Sequence, residues 1–189
     1  VRGGAEPDDP EAPAAPATCR ELGVADRLVG ITTHCRAELG DVDADPTVLG
    51  GWLDPDLDEL ARLGPDLVCT SDALQAKVRD ALRDRVRVYH MDARTLPEVI
   101  EGFAALGDAV GRGAAGERVA ARSRDRLDRI RARATDARPT VYCEEWSDPA
   151  AFADRGWAVD AAVHVVDDAL LNQPSPNLLD GAERLANLF

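Results

Sequence analysis

The chain has 189 residues, 45% of them hydrophobic, enough to bury a core but short for two lobes of ordinary domain size. A formal net charge of −13 argues against nucleic acid as a partner, because phosphates would be repelled, and no stretch reaches the roughly 18 apolar residues of a membrane span. The four cysteines, Cys19, Cys35, Cys69 and Cys143, show neither C-x-x-C spacing nor a zinc-like pairing with the three histidines, which disfavours a structural zinc site.

Residues 1–17, rich in proline, alanine and acid, predict a disordered leader, and they lack the apolar centre of a signal peptide. A short strand is expected over 28–32, with His34 and Cys35 following at the edge where loops would meet a ligand. The turn Gly50-Gly51-Trp52 then feeds a helix. Asp54 is placed to cap it, Pro55 suits its first turn, and Leu57, Leu60, Ala61 and Leu63 form one apolar face. The helix stops at Gly64-Pro65. A strand follows over 66–71, then a helix over 73–83 capped by Ser71 or Asp72, then a strand over 86–90. Strands alternating with helices call for parallel pairing with right-handed crossovers, and Trp52 falls at a strand-to-helix mouth, outside the packed interior of the sheet.

Thr95, Pro97 and Glu98 make a capping box with proline in the first turn, ahead of Val99, Phe103, Leu106 and Val110 at helical spacing, and Gly111 ends that helix. A second helix over about 114–135 would span on the order of 33 Å at 1.5 Å per residue. Its seven arginines and the stripe Val119, Leu127, Ile130 fit two readings equally: a strut between lobes, or a surface helix with Asp125 and Asp128 pairing to nearby arginines. Beyond it come a strand at 140–143, a loop at 144–149, a strand at 163–166, and a final helix capped by Ser175-Pro176 and ending near Leu188.

Six phrases in order, LGVADRLVGIT (22–32), the Gly-Gly-Trp helix leading into GPDLV (64–68), DARTL (92–96), LGDAVG (106–111), EWSDP (145–149) and QPSP (173–176), give the chain a resemblance. It resembles the cobalamin-type substrate-binding proteins of ABC importers, the helical-backbone metal receptors. The resemblance implies an α/β fold of two Rossmann-like lobes joined by one long rigid helix, with ligand in the cleft between them. On this pattern residues 1–17 are the leader, 18–95 the N-terminal lobe, 96–135 the helical linker with its strut, and 136–189 the C-terminal lobe. Two departures stand out. The family's first parallel strand has no visible counterpart in the leader, and only about fifteen residues separate the Trp-Ser-Asp-Pro loop from the last strand, which exceeds normal loop variation and implies a truncated second lobe. The family pattern also implies an extracytoplasmic protein on the outer side of the membrane, although the missing signal peptide leaves a cytoplasmic location open. It further implies a permease and ATPase complex as partner, and a monomer.

In that frame Trp52 offers a flat apolar face to a planar macrocycle, or else covers its own helix, and Gly50 and Gly51 clear space beside it. His34 can stack on a corrin, coordinate its cobalt, or bond to a loop carbonyl. Cys35 is a soft ligand or a buried inert thiol. Glu144 and Glu145, adjacent in an extended segment, point to opposite faces and so cannot act as an acid/base pair; one is expected inward and hydrogen-bonded. Trp146 would be the second-lobe counterpart of Trp52, with Asp148 beside it and Gln173 in a polar loop suited to ligand amides. These residues imply a protein that captures a cobalamin-like corrinoid for ABC-transporter uptake, with no covalent chemistry and no cofactor beyond the transported ligand itself. The same architecture serves iron-siderophore and haem carriers, but no basic residues surround Trp52 and Trp146 to meet an anionic siderophore. A cytosolic corrinoid sensor is a further alternative. A metal-dependent hydrolase using His34, His90 and His164 is the least favoured, since these fall on separate segments with no H-x-x-x-H spacing.

The acidic excess is unusual in kind. Aspartate outnumbers glutamate about two to one, and Lys77 is the only lysine among 22 basic residues. Such a bias suits a hydrated surface in high salt, as in a halophile; a GC-rich genome also favours arginine over lysine, but does not account for the acid surplus. If salt adaptation is its origin, the melting temperature should climb steadily as KCl goes from low to molar concentration, because screening relieves self-repulsion. A flat or falling series assigns the acid surplus another cause.

Overall fold

In the computed structural model the chain builds from α1, Ala14–Glu21, so the boundary drawn for a disordered leader needs correction. The structure describes residues 14–33, 35–39, 44–133, 164, 166–167, 170–171 and 174–188. Proline and alanine read as leader by composition, yet proline is tolerated in a first helical turn and alanine is the best helix former. Pro16, Ala17, Thr18 and Cys19 are buried in succession.

A single 3-10 turn, Ala25–Arg27, leads to β1, Gly30–Ile31, shorter than the strand expected over 28–32. It pairs in parallel with β2, Thr47–Val48, which sequence patterning did not anticipate; between them lies the short helix α2, Cys35–Glu38. The helix α3, Leu57–Leu63, carries the expected apolar face but a different cap. Asp56, not Asp54, accepts hydrogen bonds from the Asp58 and Glu59 amides at 3.0 and 2.9 Å. Pro55 is instead bridged to Gly50, which closes residues 50–55 into a loop and passes the capping role one turn position on. Gly64, at φ 59°, ends the helix in the left-handed region that glycine adopts without penalty.

The strand β3, Leu67–Ser71, pairs in parallel with β4, Arg87–Met91, in the register Leu67 opposite Arg87 through Ser71 opposite Met91. The helix between them, α4, Ala76–Leu82, starts three residues later than expected. Asp72, held at φ 51°, uses its carboxylate to close a turn onto the Leu74 and Gln75 amides rather than to cap the helix itself. Parallel neighbours joined through helices are the crossover units that the alternation of elements predicts. Among the described residues the strands form two separate two-stranded sheets, β1 with β2 and β3 with β4.

The capping box of α5, Leu96–Ala109, is present: Thr95 Oγ1 accepts from the Glu98 amide at 3.4 Å, and Glu98 Oε2 accepts from the Thr95 amide at 3.1 Å. Phe103, Ile100 and Leu106 on this helix are the largest fully buried apolar side chains. The twenty-residue α6, Gly113–Ala132, lies against α5 through glycines. A Cβ at Gly107 would stand 2.7 Å from the Gly116 Cα, so the two backbones touch with nothing between them. Val119, Ala120, Ser123 and Leu127 bury the rest of that face, so α6 is a packed element and not a plain surface helix. On its flank Arg126 holds the last helix, α7, Leu178–Ala186, through two 2.7 Å bonds to the Glu183 carboxylate and a further contact with Asp180. Ser175 is buried and accepts from the Asn177 amide, one turn ahead of the helix rather than at its cap.

The architecture is thus α/β with parallel strands and a long helix after the first lobe, as expected. The strand expected at 140–143 lies outside the described residues. Of 163–166 only His164 and Val166 are described, and neither is in a strand.

Candidate functional site

The principal cavity of the described region, about 310 Å³, runs between the two sheets. It is bordered by consecutive residues along β1 and its flanks, 28–32, and along β3 with the residue before it, 66–71. Successive side chains of a strand point to opposite faces, so a wall of consecutive residues is a strand edge and not a sheet face. Thr18 and Cys19 of α1 and Leu106 of α5 close it further, and among the described residues Arg27 and Asp66 are the only charged ones on its lining. In a chain with 30% charged residues, this lining is predominantly apolar.

Trp52 stands where this cavity meets the carboxyl ends of the strands. It is 7% exposed, which corrects the expectation that it lies outside the packed interior. The Gly50–Pro55 bridge turns the loop back on itself and carries the indole inward. Its carbonyl accepts a 2.9 Å bond from Gln75 Nε2, while Gln75 Oε1 accepts from the Ser71 amide at 2.8 Å. Gln75 is itself buried. Its one sequence signal is a glutamine standing just ahead of an apolar helical run.

Gly50 is needed for its φ of 96°. Beside Gly51 the room is taken by the Asp54 carboxylate, with which a Cβ would collide, so that space is filled by the loop's own residue. Cys35 opens α2 and is buried, its Sγ 3.2 Å from Thr32 Oγ1, which moves it from the expected loop edge into the interior. Burial pushes the Cys19 thiol up to about 11 and raises Cys69 as well, so both are held as inert thiols. Among the described residues Cys19, Cys35 and Cys69 form no disulfide with one another.

His90, on β4, pairs Nδ1 with Thr70 Oγ1 at 2.8 Å, and burial holds its pKa below the ordinary histidine value. His164 is exposed. Among the described residues no group of three or more His, Cys, Asp or Glu is placed to hold a metal ion. His34, Glu145, Trp146, Asp148 and Gln173 lie outside the described residues. The structure therefore brings together Trp52 and Cys35 of the expected set around one apolar cavity, with Gln75 added, while Gly51 lies in the Trp52 loop and not on the cavity lining.

Parallel strands with crossover helices and an apolar cavity reaching their carboxyl ends are the architecture of the open α/β class, which takes ligands at that end of the sheet. Residues 16–167 match the family described as periplasmic binding protein, and the chain belongs to that family. By family it is a substrate-binding protein, and membership implies a bound solute, an ABC transporter partner and an extracytoplasmic setting. No helix among the described residues is long and apolar enough to cross a membrane.

Among solved structures the chain is similar to the periplasmic vitamin B12 binding protein of Vibrio cholerae, with a TM-score of 0.71 and 16% identity over 93% of this chain and 94% of that one. A possible iron-binding periplasmic solute-binding protein from Staphylococcus epidermidis gives 0.52 and 18% identity, over 68% and 52%. A periplasmic heme binding protein from Pseudomonas aeruginosa gives 0.50 and 23% identity, over 65% and 45%. The chain thus spans nearly all of the first and about half of the other two, and at these identities the likeness is one of fold. No curated protein matches the sequence.

Proposed function

We propose that this protein captures a cobalamin-like corrinoid and delivers it to an ABC permease and ATPase complex on the outer side of the membrane, acting as a monomer. The observation that carries the reading is the extent of the likeness to the vitamin B12 binding protein, 93% of this chain against 65–68% for the iron- and heme-type structures. The cation-poor cavity supports it: the one basic residue there, Arg27, already donates to the Val110 carbonyl. With Arg27 offset by Asp66, the described lining carries no net positive charge to draw in an acidic ferric siderophore.

Size limits how the ligand is held. Small-molecule pockets run from about 300 to 1,000 Å³, so this cavity sits at the bottom of the range and a corrin ring cannot be swallowed by it. The proposal therefore places the macrocycle across the cleft mouth. Trp52, His34, Cys35 and Gly51 serve from the N-terminal lobe (18–95), and Glu145, Trp146, Asp148 and Gln173 from the shortened C-terminal lobe (136–189), with 96–135 as the linker between. The acidic surface is part of the same proposal, as adaptation to a saline medium. Haem or a ferric siderophore is the second reading, favoured by the heme binding protein among the similar folds. Calorimetric titration with cyanocobalamin in molar KCl tests the assignment. Saturable binding is expected; heat from a siderophore or haem with none from cyanocobalamin overturns it.

A further inference from the structure

Gln75 is 6% exposed, and both ends of its amide are engaged, one with a residue 4 positions away and the other with a residue 23 positions away. One end holds the Ser71 amide at the close of β3, and the other holds the Trp52 carbonyl in the Gly50–Pro55 loop. A buried amide that bonds two backbone groups fixes the loops to each other, since losing it strands a donor and an acceptor away from water. The neighbours of the two tied points are notable for the opposite property. Leu74, next to Gln75, is 60% exposed, and Leu53, next to Trp52, is 52% exposed; they are the most exposed large apolar residues among those described. Two bare leucines thus flank the two tied points, beside a buried tryptophan and at the carboxyl ends of parallel strands, where open α/β proteins meet their ligands.

We propose that Gln75 is a positioning residue of the solute site, tying the loop of the buried Trp52 to the end of β3 so that the exposed Leu53 and Leu74 form an apolar rim against the solute. The proposal rests on the solute-binding reading above and deepens it. Gln75→Glu keeps an acceptor for the Ser71 amide but sets a carboxylate oxygen against the Trp52 carbonyl, while Gln75→Ala removes both bonds. Leu53→Ser combined with Leu74→Ser changes only exposed side chains, so it folds even if the Gln75 variants do not.

The Kd for cyanocobalamin is measured at a temperature where circular dichroism matches the parent. The emission of Trp52 as sole tryptophan is recorded without ligand in a Trp146→Phe, Trp157→Phe background. Each Gln75 variant is expected to raise the Kd about tenfold, the scale of leaving a buried backbone group unpaired, and to shift Trp52 emission to the red. The double leucine variant is expected to raise the Kd by a similar factor with parental emission. A Gln75 variant that melts earlier yet keeps the parental Kd makes the amide a structural tie only and overturns the proposal, as does a double leucine variant that binds like the parent. If the parent binds neither cyanocobalamin, haem nor a ferric siderophore, the solute-binding reading has failed. Emission then decides Gln75 separately: a red shift retains its hold on Trp52, and parental emission removes it.

Discussion

Trp52→Ala is expected to lower stability by about 3 kcal/mol, within the usual cost of truncating a buried large aromatic. The side chain is 7% exposed and already borders a cavity of about 310 Å³, so its removal enlarges an existing void that the surrounding strands cannot collapse to fill. Against a total of about 5–15 kcal/mol for a typical domain this is a large fraction. In urea unfolding it should appear as a lower midpoint with an unchanged slope. Trp52→Phe should recover part of the loss. A change below about 0.5 kcal/mol, the scale of an ordinary surface substitution, would show that the indole does not occupy the interior. Because stability and the proposed ligand contact meet in one residue, weaker solute binding by Trp52→Ala is informative only where the variant is fully folded.

Gly116→Val is expected to cost about 3 kcal/mol, at the upper end of ordinary overpacking, because the obstruction is backbone and not a yielding side chain. A Cβ there would lie 2.9 Å from the Phe103 carbonyl oxygen and 3.0 Å from the Gly107 Cα. The clash would drive α6 from α5, and with it the contacts that bury Phe103, Leu106 and Val119 in the main core. Gly116→Ala should lose less, in the same direction. Thermal unfolding resolves the series, since each kcal/mol moves the midpoint by roughly 2–4 °C for a chain of this size. A valine variant as stable as the parent would mean that the helices do not meet at this glycine.

Much of the first lobe is legible in sequence because its signals are local. The apolar runs of β3 and β4 and the Thr95–Glu98 capping box are set by neighbours a few residues apart, and they appear where expected. What was missed depends on contacts distant in sequence. The two residues of β2 follow an acidic, proline-containing stretch and become a strand only by pairing with Gly30 and Ile31. Trp52 reads as a mouth residue until the Gly50–Pro55 bridge is seen to turn it inward, and that same bridge displaces the α3 cap from Asp54 to Asp56. Gln75 carries no pattern at all, because its meaning is a bond to a residue 23 positions away. The helix at Ala14–Glu21 was hidden by composition, its alanines and prolines resembling a leader until its burial is known.

The most direct measurement of the central claim is a set of calorimetric titrations of the full chain in molar KCl with cyanocobalamin, haem and a ferric siderophore under identical conditions. The account predicts one-to-one saturation with cyanocobalamin and at least about tenfold weaker binding of the other two, a difference of roughly 1.4 kcal/mol. Tight binding of the siderophore or haem with no heat from cyanocobalamin would contradict it.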